Sequence, residues 1–296
     1  MLSKKLFAIA MFSLVCINAS YAASESGADV EKALNDSYSM TPVDCGSERQ
    51  PAFFCSGVLL RGTDVYSDDY HAWDPSPASQ QSHGVSFSWI RKDAKFNKLA
   101  YAYNNGFIFY PFMNAPAGKY TSIDIMCAFP IDGATEYRNN SGCGASSQYP
   151  DESVLCQSQG ITTAEQWYAH YLEGNRSHLY QCGFETRSDS SNEDIADAFY
   201  QTIRSMALLG NESFNEQNEL RLATWNQGMQ ATLPIQAFFY LSGTSGLSSA
   251  QNNQLDLMRS TNNQVWVPVI ELTLPSSPSA EAKFIFNQED QAINLN

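Results

Sequence analysis

Six cysteines fall between positions 45 and 182, and none follows in the last 114 residues. That distribution constrains the fold more than any other feature, because it allows covalent staples in the first part and requires packing alone in the rest. The seventh, Cys16, lies inside residues 1–22, which read as a secretory signal peptide. Lys4 and Lys5 form its basic start, Leu6 to Ala19 its apolar run, and Ser20-Tyr21-Ala22 its small-residue cleavage site. Leu14 and Val15 precede Cys16, without the small residue that a lipoprotein signal needs. The expectation is a secreted protein, extracellular or periplasmic. In that setting the even set Cys45, Cys55, Cys127, Cys143, Cys156 and Cys182 predicts three disulfides, with connectivity left open. Cys-x-x-Cys pairs are missing and none of the four histidines stands at ligand spacing from a cysteine, so no metal centre is expected.

Removing residues 1–22 takes away two lysines and no acid, leaving a net charge of −16. Such a surface repels nucleic acid and anionic lipid, so neither is expected as a partner. No later segment is apolar for long enough to predict a membrane span. The acids are dispersed and 12% of the whole chain is aromatic, which excludes a disordered acidic tail.

From Phe53 onward, short alternating or apolar runs lie between turn residues: Phe53 to Leu60, Val85 to Ile90, Phe107 to Tyr110, Ile123 to Phe129, Glu219 to Trp225, Ile235 to Leu241, Val265 to Leu274 and Lys283 to Phe286. Helices are predicted over Arg91 to Ala102, from a capping box at Thr162 to Glu165 through Tyr171, and around Leu255. Another starts at Ser190 to Glu193, with Ile195, Phe199, Ile203 and Ala207 on one face and Gly210 as its stop. Residues 23–50 are polar, with a short helix around Val30 to Leu34, and are expected to be a flexible N-terminal segment. The whole reads as α+β: a single strand-rich domain over 51–296, with a disulfide-stapled insertion around 127–182.

Three short motifs suggest chemistry. Arg61-Gly62 ends a strand, Ser86 and Ser88 share one face of another, and Gln217-Asn218-Glu219 runs into a third. Together they suit a site that grips NAD and breaks its nicotinamide–ribose bond. Cleavage passes through an oxocarbenium-like ribose, which Glu219 would stabilise as a carboxylate. Gln217 would hold the incoming nucleophile. Arg61 would take the pyrophosphate through paired N–H groups, and Gly62 would let it come close to the backbone. One serine would orient Glu219 while the other bonds the ribose or the nicotinamide amide. NAD is then a substrate, and no cofactor is called for.

The same residues resemble the arginine, Ser-x-Ser and Gln/Glu-x-Glu motifs of mono-ADP-ribosyltransferases. More of the chain, from about 45 to 275, resembles the halovibrins. The carrying stretches are Cys-Ser-Gly-Val-Leu-Leu-Arg-Gly-Thr (55–63), Gly-Val-Ser-Phe-Ser-Trp-Ile-Arg-Lys-Asp (84–93), Cys-Ala-Phe-Pro-Ile-Asp-Gly-Ala-Thr (127–135) and Leu-Pro-Ile-Gln-Ala-Phe-Phe-Tyr-Leu (233–241). Halovibrins are secreted bacterial toxins described as ADP-ribosyltransferases and NAD-glycohydrolases. The resemblance implies an ADP-ribosyltransferase-like core, with Glu219 and Gln217 catalytic and Arg61, Gly62, Ser86 and Ser88 binding NAD. Gln217 stands where arginine-directed transferases carry glutamate, which puts water ahead of a protein acceptor.

Glu271, among Val267, Val269 and Ile270, is the rival carboxylate. His71, His83, His170 and His178 keep a histidine-dependent nuclease or hydrolase as the alternative enzyme, and a disulfide-stapled binding module is the non-catalytic alternative. Phe87, Trp89, Tyr101 and Tyr103 lie near the motifs and could stack on a base, although aromatic residues at such spacing more often belong to a core.

Overall fold

The computed structural model describes residues 25–39, 56–63, 71–73, 84–109, 124–139, 142–145, 155–175, 177–186, 193–209, 214–223, 235–262 and 265–293. The signal peptide, Cys45, Cys55, His83, Gly210 and Trp225 lie outside the described residues.

Eight strands form one sheet: β1 (Val58–Gly62), β2 (Val85–Ile90), β3 (Asn105–Phe109), β4 (Asp124–Phe129), β5 (Glu219–Ala223), β6 (Ile235–Leu241), β7 (Val269–Thr273) and β8 (Lys283–Phe286). Their spatial order is β4-β5-β2-β1-β3-β6-β7-β8. Every pairing is antiparallel except β6 with β7. A parallel neighbour needs a crossover, and the helix between them supplies it. The helices are α1 (Gly27–Ser39), α2 (Ala164–Glu173), α3 (Glu193–Leu209) and α4 (Leu247–Ser260). The α+β expectation therefore holds as an eight-stranded sheet with helices on both faces.

Alternation along the strands sends two apolar sets to opposite faces. Phe87, Trp89, Phe107 and Phe238 pack with Trp167 of α2, Phe199 of α3 and Leu257 of α4. On the other face Val58, Leu60, Ile90 and Ile108 pack with Val30, Leu34 and Tyr38 of α1. Residues 27–39 thus correct the expected flexible segment: a helix of thirteen residues buries a stripe at i, i+4 and i+8. Burial of that kind contributes roughly 1.5–3 kcal/mol per large side chain. The polar composition hid this, because the other side of the helix is wet.

Both borders of the sheet are closed. At β8, Asn35 Nδ2 donates to the Phe284 carbonyl (2.7 Å) and Glu31 accepts from the Phe286 amide (2.7 Å). At β4, Ala128 and Phe184 exchange two backbone bonds of 2.8 Å. Phe184 follows Cys182, which is joined to Cys156, while Cys143 is joined to Cys127 in β4. Among the described residues these are two of the three disulfides expected.

Two local expectations are corrected. Arg91 to Ala102 is no helix; it is a tight turn pairing Arg91 with Ala94, then extended chain, then a single 3-10 turn at Ala100–Ala102. Arg91 is fully buried rather than basic surface. Its guanidinium holds Asp93 (2.7 and 2.9 Å), Ser56 (2.7 Å) and the Tyr200 hydroxyl (2.5 Å), and it lies over the Trp89 ring. The helix at 162 starts one residue later than expected. Thr163 caps it, accepting from the Gln166 amide, and the Gln166 side chain reaches back to the Thr163 amide.

Candidate active site

The polar face of the sheet opens where α1 stops covering it. Ser88 lies opposite Leu60, on the α1 side; Ser86 is two residues away on the same face, and Arg221 lies opposite Ser86. Glu219, two residues before Arg221, shares that face and pairs in the other direction with Phe129 of β4. Asn218 locks the start of β5. Its buried amide accepts from the Trp89 N–H (2.9 Å) and donates to the Trp89 carbonyl (2.7 Å), adding one rung beyond the strand pairing.

Three donors converge on the Glu219 carboxyl. The Gly133 N–H donates to one oxygen (2.8 Å), the Thr135 hydroxyl to the other (2.7 Å), and the Ser86 hydroxyl to that same oxygen. Asp132, the residue before Gly133, adds a second carboxyl to the same cleft. Burial, and then the neighbouring Glu219 charge, push the Asp132 carboxyl up to about 7.

Ser86 links this pair to two cations. Arg221 Nη1 donates to its hydroxyl oxygen (2.8 Å) and Arg61 Nη1 to its carbonyl (2.7 Å). Arg221 is buried, which lowers its pKa, and Glu219 opposes that shift. Gly142, at φ 82°, passes so close that a Cβ there would stand 3.0 Å from Arg221 Nε, so both conformation and space call for glycine. Burial also lowers Arg138, to about 10. Its Nε donates to the Gly133 carbonyl (2.6 Å) and its Nη2 to the Gln181 carbonyl (2.9 Å).

A cleft of about 310 Å3 lies over these groups, within the range of ligand sites (~300–1,000 Å3). Arg61, Gly62, Ser86, Ser88, Gln217 and Glu219, proposed from three separate stretches of sequence, all line it. Sequence reasoning missed Asp132, Thr135, Glu136 and Arg221, which line it too. Asp132 and Thr135 belong to the 127–135 stretch that carries the halovibrin resemblance, and that was the available signal. Of the four aromatic residues, Phe87 and Trp89 are core, while Tyr101 and Tyr103 form a wall of the cleft. The Tyr101 hydroxyl donates to Glu136, and burial with that carboxylate raises its pKa.

The rival residues lie elsewhere. Glu271 accepts from Ser242 (2.5 Å) and Asn287 (3.3 Å) at the β7–β8 end. His71 stacks on Trp73 and bonds Asp256, while His170 stacks on Tyr180. Among the described histidines only His178 comes near, lining a neighbouring cavity. Among the described residues no helix is long and apolar enough to cross a membrane.

No protein-family model matches the chain, and no curated protein sequence matches it.

Proposed function

We propose that the protein is a secreted NAD-consuming enzyme that cleaves the nicotinamide–ribose bond, releasing nicotinamide and ADP-ribose with water as the principal acceptor. One observation carries the reading: Arg61, Ser86, Ser88, Gln217 and Glu219, each selected for a separate step of that chemistry, line a single cleft, and Ser86 bonds Glu219. Secretion rests on the signal-peptide reading and agrees with the two disulfides.

In this reading Glu219 faces the ribose and opposes the positive charge that develops as nicotinamide departs. Thr135 and the Gly133 amide keep it aimed without solvent rearrangement. Arg61, fixed to the Ser86 carbonyl, turns toward the pyrophosphate. Gln217, on the cleft wall, orients the acceptor. The β1–β2–β5 region would be the ADP-ribosyltransferase-like core, and a protein side chain could replace water as acceptor.

The oxidised mature protein, incubated with NAD alone, is expected to release nicotinamide. Glu219→Ala should slow release at least a hundredfold, about 3 kcal/mol in the barrier. Undiminished release from a folded variant would remove Glu219 from its role. No release from the parent would defeat the hydrolase reading.

A further inference from the structure

Resting on that proposed activity, we infer that Asp132 is a second catalytic carboxyl, the base that takes the proton from the attacking water. Its position is built by the backbone. Phe129 pairs with Glu219, and three residues later Asp132 enters the cleft that Glu219 lines, next to the Gly133 amide that holds Glu219. The turn that follows serves both groups: the Gly133 amide bonds Glu219 at 2.8 Å and the Ala134 amide bonds Asp132 Oδ1 at 3.0 Å. Ala134 adopts a left-handed conformation, φ 48° and ψ 50°, which a non-glycine residue holds only where its surroundings insist.

Those surroundings are specific. Arg138 holds the Gly133 carbonyl at 2.6 Å, and Gln181 Nε2 holds the carbonyls of Ile131 (3.2 Å) and Asp132 (3.0 Å). Gln181 is fully buried and precedes disulfide-bonded Cys182. The braced turn therefore holds the Asp132 carboxyl in the cleft that Glu219 lines.

Asp132 also lines a second cavity, of about 450 Å3, which shares Tyr101, Tyr103 and Gln217 with the first. It therefore borders both the Glu219 cleft and the adjoining space, from which an acceptor would arrive beside the ribose. Gln217 borders both as well. The C1′–N1 bond breaks and its electron pair leaves with neutral nicotinamide. Water oxygen bonds C1′, and the water proton passes to the Asp132 carboxylate and then to solvent.

The charged or titratable groups facing Asp132 are Glu219 on β5, Glu216 before it, Arg138 and Tyr101. His178 shares the second cavity.

The test is steady-state nicotinamide release by the mature oxidised protein and Asp132→Asn, across pH 5.5 to 9, with and without azide. The parent rate should rise through about pH 7, the base working when deprotonated. Asp132→Asn should lose at least fiftyfold in kcat with KM within threefold, lose that limb, and recover on adding azide, which attacks without a proton to give up. A folded variant that keeps the parent rate and pH limb would overturn the role of Asp132 alone. A loss that azide does not repair would make Asp132 a positioning residue for Glu219 and overturn the base. If Asp132→Asn does not fold, Asp132→Glu decides: retention of the limb with a displaced midpoint supports the base, and an undisplaced limb overturns it. An inactive parent protein would defeat the NAD reading, and this inference with it.

Discussion

Asn218 carries no charge, yet its amide decides where Glu219 stands, because it replaces one rung of backbone pairing with Trp89. Asn218→Ala would leave a buried N–H and C=O without partners. The expected cost is roughly 2–4 kcal/mol, read as a lower urea midpoint, with nicotinamide release falling more than the folded fraction does. Asp132 makes a prediction of the opposite kind. Folded, it holds a proton up to about pH 7, whereas an unfolded chain releases it near pH ~4. The native state binds the extra proton between those values, so its stabilising effect is complete at acid pH and is lost as pH rises through that window. Urea unfolding at pH 4.5 and 7.5 should show that difference in the parent relative to Asp132→Asn, where it disappears. Arg61, Ser86, Ser88, Gln217 and Glu219 were legible because each sits on or beside a recognisable strand. Asp132 was not, since only the pairing of Phe129 with Glu219, 90 residues away, brings it in.

Strands that alternate against a wet face, or run apolar between turns, were readable to the residue: β2, β6 and β8 fall where expected. The basic stretch after β2 was misread because Arg91 is neutralised inside the protein. Its pairing with Asp93 also holds that carboxylate below the usual range, against the opposing effect of burial. Ala94, Phe96 and Leu99 are buried at spacings of two and three, a pattern set by an extended chain and not by a helix. α1 was underestimated for the reverse reason, since three large buried side chains, Val30, Leu34 and Tyr38, suffice in thirteen residues when a sheet waits to receive them. Leu34→Ala should therefore cost about 2–5 kcal/mol, measurable by thermal unfolding; no change would make residues 27–39 an optional appendage. Thr163→Ala removes the cap of α2 and should cost about 1 kcal/mol. The missed register there, one residue, reflects two adjacent threonines that are equal as caps until Gln166 chooses between them.

The molecule divides its sources of stability along the sequence. Both observed disulfides lie on the β4 side, closing separations of 16 and 26 residues, while β6, β7, β8 and α4 are held by packing. Chain-entropy reasoning gives about 3 kcal/mol for each bridge. Reductant should accordingly lower the urea midpoint, and nicotinamide release should fall at denaturant levels where the packed region around Trp266, beside β7, is still intact. Tryptophan fluorescence measured beside activity separates the two. The borders of the sheet differ in the same way. At β8 the outward backbone groups are met by Asn35 and Glu31, available as soon as α1 coils. At β4 they are met by Phe184, whose segment is tethered through Cys156 and Cys182. A chain lacking the Cys156–Cys182 bridge should therefore keep the β8 margin sealed while the β4 margin loosens. Its β4 would then be a template for a second copy, and the reduced protein should associate more than the oxidised one.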